Sequence, residues 1–273
     1  MRKAEPSLRL RAVMLDWAGT TVDHGSRAPV LALQTLFEEH GIHLSIQQIR
    51  RDMGLLKRDH IRALLAMPEI RHQWRDRTGS EPTSTDVAAL FREFGPLQLE
   101  SIAAHSALIE GVADTVRKWQ SRGLRIGTTT GYTRAMLLPV LEQAIAGGYT
   151  PDASVCSDEV PAGRPAPWML MRNAELLDVY PPECCVKIGD TLLDIEEGRN
   201  AGMWTIGLIR SGNMIGCSAE EWAALGAEKQ TALLRQAEDA MLAAGADFVA
   251  DDLPACDEIL RKINDEKQSR GLD

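Results

Sequence analysis

The sequence contains no apolar stretch long enough to cross a membrane, which would need about 20 residues. Its early basic residues, Arg2, Lys3, Arg9 and Arg11, are followed only by Ala12-Val13-Met14-Leu15 before Asp16 breaks the run. That is too short for the apolar part of a secretory signal. Cysteines at 156, 184, 185, 217 and 256 are odd in number and include no Cys-x-x-Cys pair, so neither a zinc site nor a redox motif is indicated. Buried free thiols in a reducing compartment are expected, and with them a cytoplasmic protein. An excess of positive charge is also missing. Lys and Arg total 30 against 39 for Asp and Glu, a net charge of -9, so no general attraction to nucleic acid or anionic membrane is expected. A phosphate site needs only a few local cations. Internal repeats and low-complexity tracts are absent.

What remains is an ordinary globular composition, 44% hydrophobic and 25% charged over 273 residues, enough for one large or two modest domains. Short apolar runs recur at Ala12–Leu15, Leu124–Thr128, Ser154–Cys156, Cys184–Ile188, Trp204–Ile209 and Asp247–Ala250. Helical patterns separate them at Gly111–Arg122, Arg134–Ala146, Pro167–Leu177 and Glu228–Ala244. Strands alternating with helices predict an α/β fold, a Rossmann-like parallel sheet covered on both faces. Ligands of such sheets bind at the carboxyl ends of the strands, where Asp16, Thr130, Ser157 and Asp190 fall. The alternation breaks between residues 24 and 104. Helical patterns at Ala28–Glu39, Ile46–Met53, Lys57–Met67 and Thr85–Leu99 fill that segment. Roughly eighty residues without a strand read as an inserted helical cap domain rather than a loop. The catalytic core is then discontinuous, 1–23 plus 105–273. The charged end, Asn264–Asp273, is expected to fray.

Four constellations carry chemistry. Val13 to Asp23 places a carboxylate, Asp16, at the end of a buried strand before small residues, where it could act as a nucleophile on phosphorus. Ile126 to Tyr132 contains Thr130-Gly131, a hydroxyl and an N–H suited to an anion. Gly163-Arg164-Pro165 presents a guanidinium whose planar fork fits phosphate oxygens. Lys187 to Asp194 places Asp190 at a strand end and Asp194 four residues on, oxygen ligands that suit magnesium. Each has an ordinary structural explanation when taken alone: a turn cap, a Thr-rich strand, a solvated arginine, a helix N-cap.

In this order, each after its own strand, the four resemble the haloacid dehalogenase superfamily over nearly the whole chain. The helical insert is similar to that superfamily's mobile cap. Phosphatases of the superfamily usually carry a second Asp two residues after the nucleophile to protonate the leaving oxygen; here that position is Ala18. Arg164 stands where Lys is usual. The segments Asp16 to Asp23, Met53 to His60, Thr129 to Thr133 and Val160 to Pro165 are together similar to the phosphonoacetaldehyde hydrolase (phosphonatase) family. That resemblance implies hydrolysis of phosphonoacetaldehyde to acetaldehyde and phosphate. It implies Asp16 as nucleophile and metal ligand, Ala18 (through its carbonyl) and Asp190 as further Mg2+ ligands, and Lys57 as the Schiff-base residue. Thr130, Gly131 and Arg164 would hold the phosphoryl group, with Met53, His60 and Tyr132 around the substrate and Asp194 in support. It also implies a homodimer working in phosphonate degradation. Two rivals remain at this point: a phosphate-ester phosphatase or phosphomutase, which Ala18 argues against, and a non-catalytic sensor, which the intact polar set argues against.

Overall fold

The computed structural model describes residues 9–270; Arg2, Lys3 and the last residues of the expected frayed end lie outside the described residues. Six parallel strands form one sheet: β1 (Ala12–Leu15), β2 (Arg125–Thr130), β3 (Ala153–Cys156), β4 (Cys185–Gly189), β5 (Trp204–Leu208) and β6 (Phe248–Ala250), in the order β3-β2-β1-β4-β5-β6. This is the Rossmann-type α/β architecture expected from the alternating pattern, and each strand lies within two residues of its expected position. The chain winds from β1 out to β3, then returns to the other side of β1 as β4. A crevice therefore opens between the carboxyl ends of β1 and β4. Alternation along β1 feeds both faces: Val13 and Leu15 join one apolar cluster, Ala12 and Met14 another.

Six helices lie between β1 and β2, and the first five form the strand-free insert: α1 (Ala28–Glu39), α2 (Ile46–Arg51), α3 (Lys57–Ala66), α4 (Pro68–Thr78) and α5 (Ser84–His105). Asp23 starts α1 by accepting from the Arg27 and Ala28 N–H groups. A Ser45–Gln48 capping box starts α2 and a Thr83–Asp86 box starts α5. Helix α4 has no counterpart in the sequence reading. Pro68 breaks the preceding pattern, and only Ile70 and Trp74, four residues apart, are buried in it. The helices share one apolar cluster with the sheet, joining Leu33, Phe37 and Phe94 to Val13 and Leu15.

The remaining helices are α6 (Val112–Ser121), α7 (Arg134–Ala146), α8 (Trp168–Leu176), α9 (Leu192–Asn200), α10 (Ala219–Ala224), α11 (Ala227–Ala243) and α12 (Cys256–Arg270). Helix α10 buries no residue, so it left no apolar face to read. Helix α12 runs on to Arg270 rather than fraying from Asn264. Ile263 is fully buried in it, and Asn264 Oδ1 accepts from the Leu10 N–H at 2.8 Å. Among the described residues no helix is long and apolar enough to cross a membrane.

Candidate active site

Asp16 leaves β1 with its N–H on the Ile188 carbonyl of β4, at 3.0 Å, which brings the ends of the two strands together. The chain then turns sharply. The N–H groups of Thr20, Thr21 and Val22 all point to the Trp17 carbonyl. Trp17 itself is fully buried, its ring edge-on to Tyr149 at 5.4 Å. Gly19 sits at φ +85°, and a Cβ there would lie 2.2 Å from Asp190 Oδ2, so both conformation and space demand glycine. Asp190 ends β4 and is wholly buried; it accepts from the Asn213 N–H at 2.7 Å and from Thr20 Oγ1 at 3.3 Å. Thr191 caps α9 through a reciprocal box with Asp194, which fixes Asp194 behind the strand ends. Asp16, Asp190 and Asp194 each offer an oxygen within 4.8 Å of the others.

The insert closes over this crevice. Leu55 packs so tightly on Gly131 that a Cβ would meet its carbonyl at 2.8 Å, and Leu56 sits as closely on Gly163. That loop delivers Lys57, the first residue of α3, into the cavity beside Asp16. Lys57 is 4% exposed, and its Nζ contacts Met53 Sδ at 3.6 Å. Burial lowers its pKa from 10.5 to about 8; the Arg164 cation pulls in the same direction, while Asp16 and Asp190 pull against it. Its place at a helix N-terminus disfavours the cation further. Tyr132 closes the far wall, its N–H on Thr130 Oγ1 and its hydroxyl 3.5 Å from Gln98 of α5. Burial and the Asp23, Asp16 and Asp190 charges hold its phenol protonated.

Arg164 is the hub of a buried ion network. Its Nη2 lies 2.7 Å from Asp16 Oδ1 and 3.1 Å from Asp194 Oδ1, and also donates to Thr129 Oγ1 at 2.7 Å. Its Nε donates to Glu197 Oε2 at 2.9 Å. Lys187, wholly buried in β4, reaches Asp194 Oδ1 and Thr129 Oγ1, both at 2.8 Å. Burial raises the Asp16 pKa to about 6 against the pull of Arg164. Burial, then the charges of Asp16 and Asp194, drives Asp190 well above the carboxylate range. Asp194 is also penalised by burial, but Arg164 and Lys187 outweigh that and keep it ionised.

Of the residues singled out in the sequence, Asp16, Ala18, Met53, Lys57, Thr130, Gly131, Tyr132, Arg164 and Asp190 line one cavity. Asp194 stands behind it. His60 is not brought to the cavity wall: its ring is fully buried, with Nε2 2.8 Å from the Ile49 carbonyl, and burial, then Lys57, lowers its pKa to about 3. Ser26, Pro29, Gly54 and Thr191 also line the cavity, and Thr129, Lys187 and Glu197 stand behind it; the sequence pattern assigns no role to any of these. A lysine inside an otherwise apolar strand is a readable anomaly, and Glu197 is one helical turn from Asp194. Both signals were there.

The residues present fit a divalent cation. With every carboxyl ionised, Asp16, Asp190, Asp194 and Glu197 would carry -4 against +2 from Arg164 and Lys187, leaving -2 for a cation to offset when Lys57 is a free amine. Two buried carboxylates facing one cavity with raised pKa values are a donor set that a hard cation would return to ionised form.

Parallel sheet, strand-end carboxylates and helical insert together define a hydrolase class. The haloacid dehalogenase-like hydrolase family model matches residues 10–202, and the chain belongs to that family. Within it, the relatives it resembles are named more narrowly. A phosphonoacetaldehyde hydrolase of Syntrophobacter fumaroxidans is 45% identical over 94% of this chain and 92% of its own length. One from Bacillus cereus is 39% identical over 96% of this chain and 98% of its own. The crystal structure of a phosphonoacetaldehyde hydrolase-like protein from Oleispira antarctica superposes with a TM-score of 0.95 at 37% identity, covering 98% of each chain.

Proposed function

We propose that this enzyme hydrolyses the carbon–phosphorus bond of phosphonoacetaldehyde to acetaldehyde and phosphate. The observation that carries the reading is Lys57: a buried amine with a pKa of about 8 shares one small cavity with the Asp16 carboxylate. An aldehyde substrate gives such an amine a covalent role, whereas hydrolysis of a phosphate ester needs no imine.

Lys57 as free amine adds to the aldehyde carbon, and the adduct takes up one proton from solvent as water leaves, giving a protonated imine; the same proton is returned when the imine is finally hydrolysed. Asp16 attacks phosphorus. As the carbon–phosphorus bond breaks, its electron pair moves toward the iminium nitrogen and leaves a neutral enamine on Lys57. Water then cleaves the aspartyl phosphate, returning Asp16 and releasing phosphate. The enamine takes a proton at carbon, and water releases acetaldehyde and the free amine. Arg164, Thr130 and Gly131 hold the phosphoryl oxygens, and Asp194 keeps Arg164 in place. Met53 and Tyr132 complete the aldehyde end, and His60, a buried residue of α3 held on the Ile49 carbonyl, supports the helix that carries Lys57. No general acid is needed at position 18, because the leaving atom is carbon. Asp16, Asp190 and the Ala18 carbonyl would hold magnesium, whose charge offsets the repulsion between the nucleophile and the phosphonate.

Residues 24–104 act as a cap domain on a core of 1–23 and 105–273. The cavity, about 20 Å³, has room for little more than water, so substrate enters only when the cap lifts. The same reading makes the enzyme a cytoplasmic homodimer in 2-aminoethylphosphonate degradation. The test is release of phosphate and acetaldehyde in equal amounts from phosphonoacetaldehyde by wild type and not by Asp16→Asn. Phosphate released without acetaldehyde, or turnover by Asp16→Asn, overturns it.

A further inference from the structure

Glu197 is a wholly buried carboxylate that no step above uses. It lies on α9 three residues after Asp194, hence on the same face. Burying a carboxylate is costly unless it is paired, and Glu197 is paired chiefly through one oxygen. Oε2 accepts from Arg164 Nε at 2.9 Å and lies 3.4 Å from Thr129 Oγ1 and 3.6 Å from Lys187 Nζ.

A guanidinium is a rigid planar fork, so fixing two of its nitrogens fixes the third. Glu197 takes Nε. Thr129, Asp194 and Asp16 take Nη2. Nη1 has no hydrogen-bond partner among the described residues, and Arg164 lines the cavity. Without an acceptor at Nε, the fork is free to swing toward Asp16 and pair with it through two nitrogens. That would tie up the carboxylate oxygens meant to attack phosphorus. Arg164 and Lys187 against Asp194 and Glu197 sum to zero charge, so the quartet is neutral as a unit. Asp16 is thereby left without a fully committed counter-charge.

We propose that Glu197 is a positioning residue that clamps Arg164 at Nε, aims its free Nη1 at the phosphoryl group and keeps the guanidinium from closing on Asp16. The proposal rests on the reading of Arg164 as a phosphoryl-binding residue. It also assigns a requirement specific to arginine. A lysine at 164 would have no Nε–H donor for Glu197 to hold.

A double-mutant cycle tests it. Inorganic phosphate binding is measured by calorimetry in excess magnesium for wild type, Glu197→Gln, Arg164→Lys and the double variant, with steady-state kinetics alongside. Glu197→Gln is expected to weaken phosphate at least ~10-fold and to lower kcat. In the Arg164→Lys background the same change should matter less than ~2-fold, because contacting residues couple. Equal losses in both backgrounds make Glu197 a structural residue only and overturn the proposal. If Glu197→Gln does not fold by circular dichroism, Glu197→Asp takes its place in the cycle, since it keeps the charge Lys187 faces but falls short of Nε. Phosphate binding by Arg164→Lys equal to wild type removes both the reading of Arg164 and this inference. A coupled cycle in an enzyme that does not cleave phosphonoacetaldehyde supports Glu197 and overturns only the substrate assignment.

Discussion

Arg50 and Asn213 hold each other by opposed hydrogen bonds across the junction of insert and core. Arg50 Nη1 donates to Asn213 Oδ1 at 2.9 Å, and Asn213 Nδ2 donates back to the Arg50 carbonyl at 3.1 Å. The guanidinium also donates to the carbonyls of Gly25 and Gly216. The backbone N–H of the same Asn213 is on Asp190 Oδ2. Closure of the insert and placement of a strand-end carboxylate thus share one residue. Asn213→Ala keeps the N–H on Asp190 but frees the loop that carries it, so it should raise KM and the magnesium requirement together, each by about 10-fold, as expected for losing one charge-assisted bond of about 1.5–3 kcal/mol. Titration of activity with magnesium checks this; unchanged values for both would show that the junction does not govern closure.

Removal of the metal should silence the enzyme. Asp190→Asn is expected to lose most activity and bind magnesium weakly. Gly19→Ala should mimic it, because the new Cβ would displace Asp190 Oδ2 from 2.2 Å away. Activity in strong chelator equal to that in magnesium contradicts the metal assignment.

Lys57 links chemistry to stability with a defined sign. Its folded pKa, about 8, lies below the ordinary 10.5, so its protonated form favours the unfolded chain. The resulting penalty is absent above pH 10.5, grows as pH falls toward 8 and is constant below that, on the order of 3 kcal/mol. Lys57→Met should therefore melt higher than wild type at pH 7, with the difference shrinking toward pH 10, and should be inactive. Activity of wild type should rise with pH along a limb centred near 8. A thermal melt series and a pH–rate profile decide both. Borohydride added with acetaldehyde should attach mass to Lys57; mass on another lysine contradicts its role.

Ala18 sets the leaving group. A carboxylate in its place would supply an acid for an oxygen leaving group but add negative charge beside Asp16 and Asp190. Ala18→Asp should reduce phosphonate cleavage by at least ~10-fold, while wild type remains poor on simple phosphate monoesters. Faster wild-type turnover of such esters than of phosphonoacetaldehyde would favour an ester phosphatase.

The sequence by itself determined the strands, their order along the chain and the residues at their ends. Buried strands and their terminal Asp16, Thr130 and Asp190 are written in local apolar runs, and the missing carboxylate at Ala18 is visible by position alone. What Lys57 becomes was decided only in three dimensions. On α3 its surroundings read as those of a solvated helix lysine, and its depressed pKa arises from burial, with Arg164 adding to the effect and Asp16 opposing it, in a setting that exists only when the insert packs on Gly131 and Gly163. Tertiary packing also turned His60 toward Ile49 instead of the cavity, joined Arg50 to Asn213, and set Glu197 against Arg164, 33 positions away. Periodicity reports which face of an element is buried. Desolvation and charge pairing depend on what that face meets, which is settled by long-range contacts that no local pattern records.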